Sequence, residues 1–139
     1  MIRSPIIIID DDIDDTTLIK EAFDELKCEN EIIVFHDSTL AFQYLEQLKQ
    51  QPFFILCDVN MVRLNGLKLR QLINESEKLR LLAIPFLFWS TSGSSHLVNQ
   101  AYSLNIQGFF KKPNSIQEIK KMIATIMNYW DCSDHPLYS

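Results

Sequence analysis

Five short apolar runs punctuate the chain: Pro5 to Ile9, Ile32 to Phe35, Phe53 to Cys57, Phe86 to Trp89 and Gln107 to Phe110. Each has strand length, and none alternates cleanly between apolar and polar residues, which is the pattern of strands covered on both faces. The segments between them change to helical spacing. Leu18, Ile19, Ala22, Phe23 and Leu26 form one stripe, and Leu40, Ala41, Tyr44, Leu45 and Leu48 form a second behind a cap at Asp37 or Ser38. Leu67, Leu69, Leu72 and Ile73 predict a third helix, and Leu97, Val98, Ala101 and Tyr102 a fourth, capped by Ser94 or Ser95. The fifth helix is the clearest. Ser115 and Glu118 have capping-box spacing, Ile119, Met122, Ile123, Ile126 and Met127 repeat one face behind them, and an end near Tyr129 is expected.

Strict alternation of strand and helix predicts a parallel sheet, and right-handed crossovers narrow it to an α/β doubly wound (βα)5 sandwich. All strands then point the same way, so the residues following each run gather at one edge of the sheet, where such folds place ligands. Asp10, Asp11 and Asp12 follow the first run, Asp58 the third, Ser90 and Thr91 the fourth, and Lys112 and Pro113 the fifth. Carboxylates crowded together raise one another's pKa and call for a cation. Mg²⁺ suits them, because it prefers hard oxygen ligands and usually combines one or two carboxylates with phosphate oxygens. Asp58 can then attack phosphorus as a carboxylate nucleophile, with Lys112 and the Ser90 hydroxyl meeting the equatorial oxygens. Singly, each residue has a plainer reading: an acidic triplet before a helix as a cap, Asp58 as the start of a loop, Ser90 and Lys112 as structural or solvated groups. Only their convergence favours chemistry.

Composition adds limits. With 139 residues, 47% of them hydrophobic, and only 3 Gly and 5 Pro, the chain suits one globular domain that needs no disulfides. The formal net charge is −5, so nucleic-acid binding would need a local basic cluster; Lys111, Lys112, Lys120 and Lys121 are too few to argue from. Cys28, Cys57 and Cys132 are odd in number and lack CxxC spacing, which speaks against a disulfide framework or a zinc site and suits a reducing cytoplasm. No run approaches the ~18 apolar residues of a membrane span. Residues 1–130 read as the domain and 131–139 as a short polar tail, with Trp130 and Leu137 able to fold back.

From about Ile6 to Met127 the chain resembles the receiver domains of two-component response regulators. IIIIDDD resembles the acidic pair ending the first strand, FFILCDVNMVRLNG the phosphoacceptor segment, PFLFWSTS the fourth strand with its switch hydroxyl, and GFFKKP the lysine–proline end of the fifth. The resemblance implies a flavodoxin-like sheet in the order 2-1-3-4-5. It implies Mg²⁺ held by Asp10, Asp11, Asp58 and the backbone carbonyl of Asn60, phosphoryl acceptance at Asp58, and contact of the phosphoryl group by Ser90 and Lys112. Asp12 falls outside the acidic pair in this register and is expected in a solvated loop, although the triple Asp leaves a one-residue slip open. Phe109 matches the aromatic that turns inward on phosphorylation, with a static core Phe as the alternative. The face remodelled would be the fourth predicted helix, the fifth strand and the fifth predicted helix. Val62 stands where the family commonly has Pro, Ser90 replaces the frequent Thr, and Phe109 lacks the hydroxyl of Tyr.

The implied function is a stand-alone response regulator with a layout similar to phytochrome-associated ones. It would be phosphorylated by a histidine kinase or histidine phosphotransfer protein and act on a downstream protein, assisting only its own phosphorylation and dephosphorylation. No nucleic-acid or membrane partner is expected. Phe109, Phe110 and Tyr102 could support a homodimer, against an equal case for a core role. Two rivals stand beside this reading: a haloacid-dehalogenase-type Mg²⁺ phosphohydrolase built on Asp10 and Asp12, and a receiver-like interaction module that is never phosphorylated.

Overall fold

Four isoleucines, Ile6–Ile9, make the first strand, β1, and every one is fully buried. A strand this apolar is stable only at the centre of a sheet with layers on both faces. The computed structural model describes residues 3–135 and shows that arrangement; the fold-back of Leu137 falls outside the described residues. Elements follow in the order β1, α1 (Ile13–Glu25), β2 (Ile32–Phe35), α2 (Ser38–Glu46), β3 (Phe54–Asp58), α3 (Gly66–Glu75), α4 (Glu77–Leu82), β4 (Phe86–Ser90), α5 (Ser95–Tyr102), β5 (Gly108–Lys111) and α6 (Ile116–Cys132). The five strands are parallel in the order β2-β1-β3-β4-β5. This is the flavodoxin-like receiver fold, as expected.

The period of two that the apolar runs hide becomes visible in the packing. Ile7, Ile9, Ile55, Cys57, Phe86 and Phe88 face one core with Ala41, Leu45, Leu69, Ile73, Leu79 and Ala101 of α2 to α5. Ile6, Ile8, Phe54, Leu56, Leu87 and Trp89 face the other, with Ile19 and Phe23 of α1 and Ile119, Ile123 and Ile126 of α6. Each large apolar side chain removed from water contributes about 1.5–3 kcal/mol before entropic costs, so burial on both faces holds the sheet between its helix layers.

The structure differs from the sequence-based expectation at three places. A sixth helix, α4, follows α3 directly because Ser76 ends one and caps the other, its side chain accepting from the Leu79 N–H. Two turns are too short to print a helical period. The last helix runs to Cys132, and beyond it His135 stacks on Phe53 at 4.7 Å. Leu26 and Leu40, placed on apolar stripes, are exposed at 41% and 53%. They lie at the margins of their stripes, which the sheet does not cover.

Candidate functional site

The strand ladder continues past β1 and β5 and fixes the backbone where the candidate side chains leave it. Asp10 N–H donates to the Phe35 carbonyl at 3.0 Å, and Lys112 N–H donates to the Ser90 carbonyl at 2.8 Å. Asp58 ends β3 opposite Trp89, and Ser90 ends β4 opposite Lys111. Behind Asp58, the first turn of α3 presses on β3: Gly66 N–H donates to the Val59 carbonyl at 2.8 Å, and a Cβ at Gly66 would lie 2.4 Å from the Asp58 carbonyl oxygen. Only glycine permits that approach.

Asp10, Asp11 and Asp58 each bring a carboxylate oxygen to within 4.8 Å of the others'. Asp10 and Asp58 are buried, and Asp11 is half-buried. Asp12 is not part of this group. It is exposed and caps α1, its side chain accepting from the Asp15 N–H at 3.1 Å. The solvated-loop expectation for Asp12 is thereby refined, and its role as a cap leaves no convergent Asp10–Asp12 pair of the kind a phosphohydrolase would need. Asp11 Oδ2 accepts from the Val62 N–H at 3.2 Å, tying the first loop to the one after β3. The Asn60 backbone N–H favours the ionised form of Asp58, while the Asn60 residue itself is exposed.

Lys112 reaches into the group from β5. Its Nζ lies 2.7 Å from Asp15 Oδ2, 2.9 Å from Asp10 Oδ2 and 3.5 Å from Asp58 Oδ1, and it stands 4.8 Å above the centre of the Trp89 ring. Burial opposes its charge, but the carboxylates of Asp15, Asp10 and Asp58 outweigh that and raise its pKa. Burial likewise disfavours ionisation of Asp58, the nearby Asp10 charge adds to it, and Lys112 only partly compensates; the Asp58 pKa is pushed up to about 6. Asp10 is shifted upward too, chiefly by burial, against Lys112 and the Asp12 N–H. Cys57, beside Asp58, is fully buried, which raises its thiol pKa far enough to keep it protonated and inert.

A divalent cation fits this set on a specific observation. Asp10 Oδ2 is buried and its ion-pair partner is the Lys112 ammonium at 2.9 Å, which Asp15 and Asp58 share. One ammonium leaves the Asp10–Asp11–Asp58 group short of positive charge, and a divalent cation held by the three carboxylates would supply it.

The sequence model of the response regulator receiver domain matches residues 6–124. The chain belongs to that family. Among curated relatives of this receiver, the probable methanogenesis regulatory protein FilR2 of Methanothrix harundinacea is 29% identical over 129 residues, covering 90% of this chain and 82% of that protein. Response regulator Rcp1 of Synechocystis is 24% identical over 130 residues, covering 90% and 87%. Among solved structures, the phosphorylated cyanobacterial phytochrome response regulator RcpA superposes with a TM-score of 0.87 at 23% identity, covering 96% of this chain and 99% of that one. The Mn²⁺-bound form of Rcp1 gives 0.83 at 23% identity, with the same coverage.

The remaining candidates of this receiver sit as follows. Ser90 is fully buried, its Oγ accepting from the Ser92 N–H at 3.1 Å, and Thr91 is exposed. Phe109 is half-buried and tilted against Phe88 at 6.2 Å, while Tyr102 is 48% exposed. The lysine cluster does not form a basic patch: Lys112 turns inward, Lys120 pairs with Glu25 and Lys121 with Glu118. No helix among the described residues is long and apolar enough to cross a membrane. Two residues at the site escaped sequence reasoning, Asp15 and Trp89. Asp15 is 97 residues from Lys112, and nothing local marks it except its place in the first turn of α1.

Proposed function

We propose that this receiver is a phosphorylation switch that accepts a phosphoryl group on Asp58 from a phosphohistidine of a kinase or phosphotransfer protein. The observation that carries the reading is the converging Asp10–Asp11–Asp58 carboxylate group, with Asp10 and Asp58 buried and the single Lys112 ammonium alongside. Asp10, Asp11, Asp58 and the Asn60 carbonyl would hold Mg²⁺. Bound there, the ion supplies charge neutralisation at the phosphoryl oxygens. An ionised Asp58 oxygen attacks phosphorus; the O–P bond forms as the P–N bond breaks, and the electron pair leaves with the imidazole, which takes up a proton. Lys112 and the Ser90 hydroxyl hydrogen-bond the equatorial oxygens and position them in line.

Output in this reading is a packing change. Ser90 turns toward the phosphoryl group, and Phe109, already half-buried beside Phe88, moves into the space it leaves, altering the α5–β5–α6 face that a downstream protein or a second copy would read. Residues 1–130 act as the receiver and 131–139 as its tail. The exposed position of Asp12 weighs against a hydrolase built on Asp10 and Asp12.

The test is incubation with acetyl phosphate and Mg²⁺. An acid-stable, base-labile gain of one phosphoryl mass is expected, abolished by EDTA and by Asp58→Asn. No gain with acetyl phosphate or with a broad panel of histidine kinases would refute the switch and leave the unphosphorylated interaction module.

A further inference from the structure

Asp15 occupies the third position of α1, three residues after its cap at Asp12, and that spacing offers an ordinary explanation for it. In a capping box, the acid at this position turns back to the backbone N–H of the cap residue. Here that N–H is taken elsewhere: Asp12 N–H donates to Asp10 Oδ1 at 2.9 Å. The Asp15 side chain turns instead toward the sheet, and its Oδ2 accepts from Lys112 Nζ at 2.7 Å. The cap fixes the base of Asp15, because Asp12 holds the Asp15 N–H.

The ammonium has three donors and faces three carboxylates, Asp15, Asp10 and Asp58, with the Trp89 ring below it. Its shortest contact is with Asp15 at 2.7 Å, Asp10 Oδ2 follows at 2.9 Å, and Asp58 Oδ1 stands off at 3.5 Å. The lysine is thus shared between Asp15 on α1 and Asp10, and stands off from Asp58.

We propose that Asp15 is a positioning residue that shares the Lys112 ammonium with Asp10 and holds it off Asp58, leaving these carboxylates freer for a divalent cation while partly neutralising the charge Lys112 presents to a phosphoryl group. This rests on the phosphoryl-switch reading of the same site. Its consequence is a pair of opposite effects. Without the Asp15 charge, Lys112 competes more strongly with the cation for Asp10 and Asp58, so Mg²⁺ binds more weakly. The same released ammonium attracts an anionic phosphoryl group more strongly. A variant that merely loosened α1 would weaken both.

Calorimetry on the full chain tests this with Asp15→Asn, Asp14→Asn and Asp15→Glu. Asp14 is an exposed acid in the same first turn, so its replacement removes the same formal charge and the same helix-dipole contribution. Asp15→Asn is expected to raise the Mg²⁺ Kd about fivefold or more and to lower the Kd for trifluoroberyllate, at saturating Mg²⁺, by about threefold. Asp14→Asn should change neither by more than about twofold, and Asp15→Glu should restore both. A second readout needs no ligand: the ¹⁵N–H signal of Lys112 Nζ should exchange slowly in the wild type and in Asp14→Asn, and be lost in Asp15→Asn. Equal effects of Asp14→Asn and Asp15→Asn, or movement of both ligands in one direction, would overturn the proposal. If the wild type binds neither ligand, the switch reading falls, and the Lys112 signal alone decides whether Asp15 holds the ammonium.

Discussion

Asp58→Asn is expected to stabilise the cation-free protein, and to do so only above about pH 5. Burial and the Asp10 charge raise the Asp58 pKa to about 6 from an ordinary 3.8, so folding disfavours its ionised form. Below about pH 4 the carboxyl is protonated in both folded and unfolded chains, and the variant gains nothing. Between about 4 and 6 the unfolded chain releases its proton first, the native state binds more protons, and native stability falls as pH rises. Above about 7 the loss is complete. At about 1.4 kcal/mol per pKa unit the shift is worth on the order of 3 kcal/mol. The amide keeps the shape but gives up the attraction of Lys112, so about 1–3 kcal/mol is expected, or roughly 3–10 °C in Tm for a domain of this size. Thermal melts of both proteins in EDTA, from pH 4.5 to 8.5, measure the gap directly. Adding Mg²⁺ should close it by stabilising the wild type. A variant no more stable than the wild type at pH 8, or a gap as large at pH 4.5 as at pH 8, would refute the account of a frustrated acidic site.

Three further outcomes follow from the same geometry. Gly66→Ala should cost about 1–3 kcal/mol in urea unfolding and slow phosphorylation, because the new Cβ meets the Asp58 carbonyl at 2.4 Å and pushes β3 or α3 aside; unchanged stability would mean that the loop relaxes freely. At limiting Mg²⁺, the acetyl phosphate reaction should fall as pH drops through about 6, since the Asp58 nucleophile must be ionised; a flat rate between pH 5 and 7 would contradict the raised pKa. Arg70→Lys should destabilise by about 1–3 kcal/mol despite keeping its charge. The buried guanidinium donates to the Leu104 and Asn105 carbonyls at 3.0 and 2.7 Å and stacks on Phe86, a fork an ammonium cannot reproduce; chemical denaturation would show it.

Much of this receiver was legible in its sequence, and for local reasons. Strand runs, the caps at Asp37, Ser94 and Ser115, and the residues that follow each strand depend on short-range pattern, so Asp10, Asp58, Ser90 and Lys112 could be assigned to one edge before any coordinates. The choice within Asp10, Asp11 and Asp12 needed the resemblance as well, because three identical side chains carry no register of their own. Tertiary structure decided what each charge faces. It turned Asp12 outward as a cap, turned Lys112 inward while Lys120 and Lys121 pair with acids, and set Asp15 against Lys112 across 97 residues. It also sorted the unalternating strands onto two cores. Propensity and capping act over a few residues and are written in the chain, whereas an ion pair between α1 and β5 exists only once the sheet has brought its strand ends together.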